Sequence, residues 1–198
     1  MPAIITSAIE ESSFEKVRDR VAQILSLELP VQEYLSGFEL PGKAWLERVV
    51  PFDEATEFPA VNVSLASMDF SGQTVRQSDN TITLNIDLYT EAASTPSEQA
   101  DTEAAIKMHR LARFVRGILE HTAYKTLGFA PPFIMNRHIA SFGYVKYDEQ
   151  DAGSGFFGRL ILSVKVAETN GIVASLPLAE SLTEVKLNTS DKGYYYEA

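Results

Sequence analysis

The chain contains no cysteine. That excludes disulfides and thiolate metal sites, and it removes one whole class of catalytic nucleophile. Histidine is scarce: His109, His121 and His138 are the only three in 198 residues, which leaves little material for a metal cluster or a hydrolase triad. Positive charge is also short, with 17 Lys and Arg against 27 Asp and Glu, for a net charge of −10. A duplex-binding surface neutralises phosphates with basic side chains, so this balance argues against ordinary nucleic-acid binding. No apolar run approaches the roughly 18–20 residues that cross a bilayer. The opening MPAIITSAIEESS lacks a basic segment followed by a long apolar one, so it does not read as a signal peptide, and a cytoplasm-like compartment is expected.

What remains suits one globular domain: 45% of the residues are hydrophobic, and no Pro/Ser/Gly-rich linker divides the middle of the chain. Ser12 and Glu15 have capping-box spacing, and Phe14, Val17, Val21, Ile24 and Leu25 recur at three- and four-residue steps. This predicts an amphipathic helix that Pro30 stops shortly after Leu27. Pro41-Gly42 marks a turn, and AWLERVVPF reads either as a short helix or as an edge strand.

From Pro59 the period changes to two. Val61, Val63 and Leu65 alternate with Asn62 and Ser64; later Ile82, Leu84, Ile86 and Leu88 alternate with Thr83, Asn85, Asp87 and Tyr89. These are two strands of an antiparallel sheet with one buried face. Thr95, Pro96 and Glu98 open a long helix whose buried stripe is Ala104, Ala105, Met108, Leu111, Ala112, Val115, Ile118 and Leu119. Two more strands are expected around residues 139–147 and 157–167. The fold class is therefore α+β: an antiparallel sheet of four to five strands, with the N-terminal helix and the long helix packed on one face. Residues 1–168 form this domain and residues 169–198 a C-terminal extension or arm.

Gly153, Gly155 and Gly158 spell the G-x-G-x-x-G of a dinucleotide-binding turn. That turn requires a helix beginning among the glycines to receive the pyrophosphate, whereas here a strand pattern follows. Asp148, Glu149 and Asp151 stand just upstream, where they repel phosphate, and they lack the alternation of a calcium loop. The run reads as a hairpin turn whose glycines supply positive φ. Neither a catalytic residue nor a metal or cofactor site emerges, and no enzyme is expected. An enzyme would need a pocket gathering one of the three histidines with acids.

The long helix carries the more informative pattern. Glu98, Asp101 and Glu103 precede Lys107, Arg110, Arg113 and Arg116, which complements the helix dipole. The dipole does not account for Ile106, which at 100° per residue lies opposite the buried stripe, or for Phe114 at the margin. Ile106, Arg110, Arg113 and Phe114 form a candidate subunit interface, because aromatic and Arg residues anchor interfaces. Tyr194, Tyr195 and Tyr196 mark a candidate C-terminal arm contact, or else a disordered end.

In order, length and character the chain resembles the tail terminator (tail completion) proteins of tailed bacteriophages. The resemblance is carried by FEKVRDRVAQIL, EFPAVNVSL, TITLNIDLYTEA, AAIKMHRLARFVRGIL and a closing strand pair, over roughly residues 10 to 168. It departs from a minimal terminator in its longer 28–58 segment and in its tail from 169. The resemblance implies a homo-oligomeric ring, usually hexameric, in the virion tail or neck and assembled in the host cytoplasm. Such a ring stops tube (and sheath) polymerisation at the head-proximal end and docks to the head connector. DNA passes through its lumen without specific binding, and no membrane is involved. Another neck or tail joining protein, and a small non-viral protein-binding adaptor, are the alternatives.

Overall fold

A computed structural model describes residues 11–50, 52, 57–70, 77–90, 98–144 and 156–169. The first helix, α1 (Ser13–Ser36), opens on the predicted capping box: the Ser12 hydroxyl accepts the Glu15 amide at 3.4 Å, and the Glu15 carboxylate accepts the Ser12 amide at 2.9 Å. Its predicted end is wrong. Pro30 lies inside the helix, which runs on to Ser36 and closes on Gly37 in the left-handed region, φ 66°. Proline in a helix interior costs about 3 kcal/mol relative to alanine. The adjacent Leu29 is fully buried, which returns roughly 1.5–3 kcal/mol, and the Gly37 amide donates to the Glu33 carbonyl at 2.8 Å to finish the last turn.

AWLERVVPF resolves in favour of the edge strand. Strand β1 (Ala44–Leu46) pairs Ala44 with Val61, Trp45 with Asn62 and Leu46 with Val63, and it runs parallel to β2 (Ala60–Asp69). The sheet is thus mixed, not wholly antiparallel, because β1 and β2 run in the same direction. Strand β3 (Gln77–Thr90) then lies antiparallel to β2, with Val61 opposite Leu88 and Val63 opposite Ile86.

Helix α2 (Glu98–Glu120) follows, and a 3-10 turn at Thr122–Tyr124 ends it. The predicted cap at Thr95 and Pro96 lies outside the described residues. Two last strands, β4 (Ile134–Tyr144) and β5 (Phe156–Thr169), complete a five-stranded sheet in the order β1-β2-β3-β5-β4. Strand β4 starts five residues earlier than its alternation suggested. Register shifts at Ile134/Asn136 and Ile139/Ser141 interrupt the period of two on which that reading depended.

Both helices cover one face of the sheet, as expected. Val17, Val21, Ile24, Leu25 and Leu29 of α1 join Met108, Leu111, Val115 and Leu119 of α2 over the even-numbered residues of β3 and β5. The other face is polar along its middle and closes at one end around an aromatic group. There Phe52 packs on Tyr89 at 4.7 Å between centroids, and Tyr89 on Phe157 at 4.8 Å. The buried Asp87 takes two hydrogen bonds from Arg159, at 2.6 and 2.9 Å, beside that group.

The glycine run also needs correction. Gly153 and Gly155 lie outside the described residues, but Gly158 sits within β5, opposite Leu88 and Tyr144. It supplies space, not positive φ: a Cβ there would stand 2.8 Å from the Met108 sulfur and 3.0 Å from the Phe142 ring. From Gly158 the described chain continues as a strand, where a dinucleotide-binding turn requires a helix.

Candidate subunit interface

Helix α2 buries Ala104, Met108, Leu111, Ala112, Val115, Ile118 and Leu119, so its opposite face is defined by geometry. Ile106, Arg110, Arg113 and Gly117 follow one another along that outward line at four-, three- and four-residue steps. Ile106 is 43% exposed, large for a side chain of its type on a packed helix. The Arg110 guanidinium lies over the Phe38 ring, 5.2 Å from its centroid, and Arg113 lies 5.8 Å from the Phe114 centroid. Phe38 and Phe114 stack at 6.1 Å with 20° between their planes.

The structure therefore brings together three of the four predicted residues, Arg110, Arg113 and Phe114, through a fourth that sequence reasoning missed: Phe38. Ile106 stands one turn from Arg110 on the same line. Phe114 is half-buried, held by its stack, so its ring serves the fold as much as the surface. Each cation–aromatic contact is worth roughly 0.5–1 kcal/mol at an exposed site.

Gly117 was also missed. A Cβ at this exposed mid-helix position would meet nothing within 4 Å, so no contact within the chain requires glycine there. It forms a saddle between two grooves. One, of about 440 Å³, lies toward β4 and is lined by His109, Arg113, Arg116 and Phe142. The other, of about 420 Å³, lies toward α1 and is lined by Glu28, Gln32, Phe114, Ile118 and Tyr124. Tyr124 donates its hydroxyl to Glu28 across the second groove. That hydrogen bond, with burial and the nearby negative charge adding to it, raises the phenol above its ordinary value.

The histidines do not assemble a catalytic group. His109 is hydrogen-bonded to the Tyr144 hydroxyl at 2.7 Å and set edge-on to Phe142. His121 accepts the Ala123 amide on Nδ1 at 3.2 Å and so caps the 3-10 turn. His138 is exposed on β4. Beyond α2, β4 is an edge strand with Met135, Phe142 and Tyr144 exposed, and the opposite edge, at β1, exposes Leu46, Val49 and Val50. Tyr194, Tyr195 and Tyr196 lie outside the described residues.

The described residues define an α+β protein with α1 and α2 on one face of a mixed sheet. No protein-family model matches the sequence, and no curated protein matches it. Thirty-four chains of solved structures do match. One belongs to the virion of a native gene transfer agent particle: it is 14% identical, the match covers 79% of this chain and 100% of that one, and the TM-score is 0.43. An overlap that loose carries no argument about function.

Proposed function

We propose that this chain is a structural component of a phage-like virion, a tail terminator that closes into a ring at the head-proximal end of the tail tube. The observation that carries the reading is the outward ridge of α2, in which Ile106, Arg110, Arg113 and Gly117 stand beside the exposed edge of β4 while a second apolar edge faces away at β1. A ring of identical subunits needs two different, complementary surfaces on opposite sides of each copy. Exposed strand edges with apolar side chains are the kind of surface that assembly satisfies. The element order carried by the four quoted segments and the closing strand pair supports the same reading.

In this role the protein performs no bond chemistry. It stops addition of tube subunits, and of sheath subunits in a contractile tail, and it offers a face to the head connector. Its net charge of −10 suits a lumen through which DNA passes without being held. A small protein-binding adaptor is the second reading, favoured by the groove between α1 and α2.

Light scattering behind a sizing column, across a concentration series and with purified tail tubes present or absent, tests both. Growth toward six chains of 21.9 kDa, about 130 kDa, alone or on the tube ends, supports the ring. A monomer under every condition, tubes included, overturns it in favour of the adaptor.

A further inference from the structure

Rows of paired residues cross the sheet, and three of them run from one edge strand to the other. Leu46, Val63, Ile86, Leu160 and Phe142 are successive partners on the helix-covered face. The adjoining row, on the other face, ends on Trp45 and Gly143, and the one after it on Ala44 and Tyr144. Among the described residues β1 and β4 are the outer strands, so these rows end at the two edges of the sheet.

The ends of each row match in kind and in size. Leu46 and Phe142 are both apolar and exposed, at 43% and 37%. Gly143 is exposed, and a Cβ there would meet nothing within 4 Å, so packing inside the chain gives no reason for bare backbone at this point. Glycine inside a strand marks a place where something else approaches closely. At the far end of its row stands the half-buried Trp45, the one tryptophan of the chain. Ala44 is small where Tyr144 is large.

Strand β1 runs opposite to β4, so the β4 edge of one copy and the β1 edge of a second copy in the same orientation are antiparallel. In such a pair one strand counts up while the other counts down. Setting Phe142 opposite Leu46 therefore sets Gly143 opposite Trp45 and Tyr144 opposite Ala44. One register satisfies all three. A slip of one residue would turn Leu46 to the wrong face.

The helix layer agrees. The Ser26 hydroxyl accepts the Ala44 amide at 2.9 Å, which fixes the flank of α1 that faces β1. Glu33 lies seven residues on, about two turns, and falls on the same flank. On α2, His109, Arg113 and Arg116 line the groove of about 440 Å³ toward β4. Gln32 and Gly117 line one groove between the helices, so their neighbours Glu33 and Arg116 stand level with each other. When the rows join without an offset, Glu33 of one copy comes level with Arg116 of the next. Arg116 bridges Glu120 at 2.8 Å yet is 63% exposed, which leaves donors for a second carboxylate.

We infer that the sheet continues from β4 of one copy into β1 of a second, in the register Phe142–Leu46, Gly143–Trp45 and Tyr144–Ala44. Glu33 of the second copy pairs with Arg116 of the first. The inference rests on the self-association proposed above and specifies its contact. Each copy gives one edge and takes the other, so the junction is heterologous.

The chain has no cysteine, so every bridge must form between introduced thiols. Within one chain, positions 46 and 142 lie four strand spacings apart, roughly 19 Å, and a disulfide tolerates about 7 Å between Cα atoms. In the full chain, Leu46→Cys with Phe142→Cys, oxidised with and without purified tail tubes, is expected to give dimers and higher bridged species on a non-reducing gel. The control pair Leu46→Cys with His138→Cys lies on opposite faces in this register and should bridge at least about tenfold less. In light scattering, Glu33→Arg and Arg116→Glu should each weaken self-association about fivefold, and the two together should restore it. If the wild type associates but the first pair fails to bridge, the control bridges equally, or the charge reversal is not rescued, the register is overturned and the ring stands. A wild type that stays monomeric with tubes present overturns both.

Discussion

Two glycines in contact with α2, or part of it, respond in opposite ways to the same added methyl group. At Gly117 the added Cβ meets nothing within 4 Å. Gly117→Ala therefore removes the entropic cost of glycine in a helix without a steric penalty, a gain of about 0.5–1 kcal/mol. At Gly158 the added Cβ lands 2.8 Å from the Met108 sulfur and 3.0 Å from Phe142. Met108 is fully buried and cannot swing into water, so Gly158→Ala overpacks the α2–β5 contact at a cost of roughly 1–3 kcal/mol. For a chain of this size about 1 kcal/mol moves the melting temperature by roughly 2–4 °C. Thermal unfolding followed by circular dichroism, at a concentration low enough to exclude association, should show Gly117→Ala melting about 1–4 °C higher and Gly158→Ala about 2–12 °C lower. Destabilisation by Gly117→Ala would refute the claim that this part of α2 is unpacked within the chain. A neutral Gly158→Ala would show that Met108 repacks freely and that the strand glycine has no packing role.

Five other outcomes follow from the same geometry. Arg113→Glu should weaken self-association in light scattering while leaving the circular dichroism unchanged; Phe114→Asp should do so too, but with a loss of about 1–2 kcal/mol because the Phe38 stack is broken. Pro30→Ala should raise the denaturant midpoint by the equivalent of about 1–3 kcal/mol, since the helix already runs through this position. Asp87→Asn removes the negative charge and one of the two oxygens that accept from Arg159, and should cost roughly 1.5–3 kcal/mol by urea titration. Tyr124, whose phenol is raised in the folded chain, contributes stability below its ordinary value of 10.0 and loses it as pH rises through the folded value. The stability difference between wild type and Tyr124→Phe should therefore stay flat from pH 7 to about 9 and shrink above 10; a difference that grows there would reverse the assignment.

How much of this was legible depended on how local each cause is. The buried stripe of α2 and the alternation of β3 are properties of one element against one core, and both were readable from periodicity alone. Pro30 misled because whether a proline ends a helix depends on what its neighbours bury, and the burial of Leu29 is a tertiary fact. Strand β1 has three residues and exists through its ladder with β2, so no pattern within AWL could reveal it, or its parallel direction. The bulges hid the start of β4 by interrupting the signal used to find strands. At the candidate interface, the ridge followed from helix geometry, but Phe38 did not, since it reaches Phe114 across 76 positions of sequence. Gly117 was within reach: it lies eleven residues beyond Ile106, three helical turns along the same line.

The strand directions carry one more consequence. Strand β1 runs with β2 and against β3, β5 runs with β1, and β4 runs against it, so the two free edges of the sheet have opposite polarity. Copies set side by side in one orientation therefore meet as antiparallel edges, and every copy points the same end the same way. Such an array has a distinct top and bottom, as a collar between two unlike structures must. The brevity of β1, Ala44–Leu46, limits what backbone pairing contributes to each junction. In the proposed ring, side chains would then decide which neighbour is accepted and when the array closes.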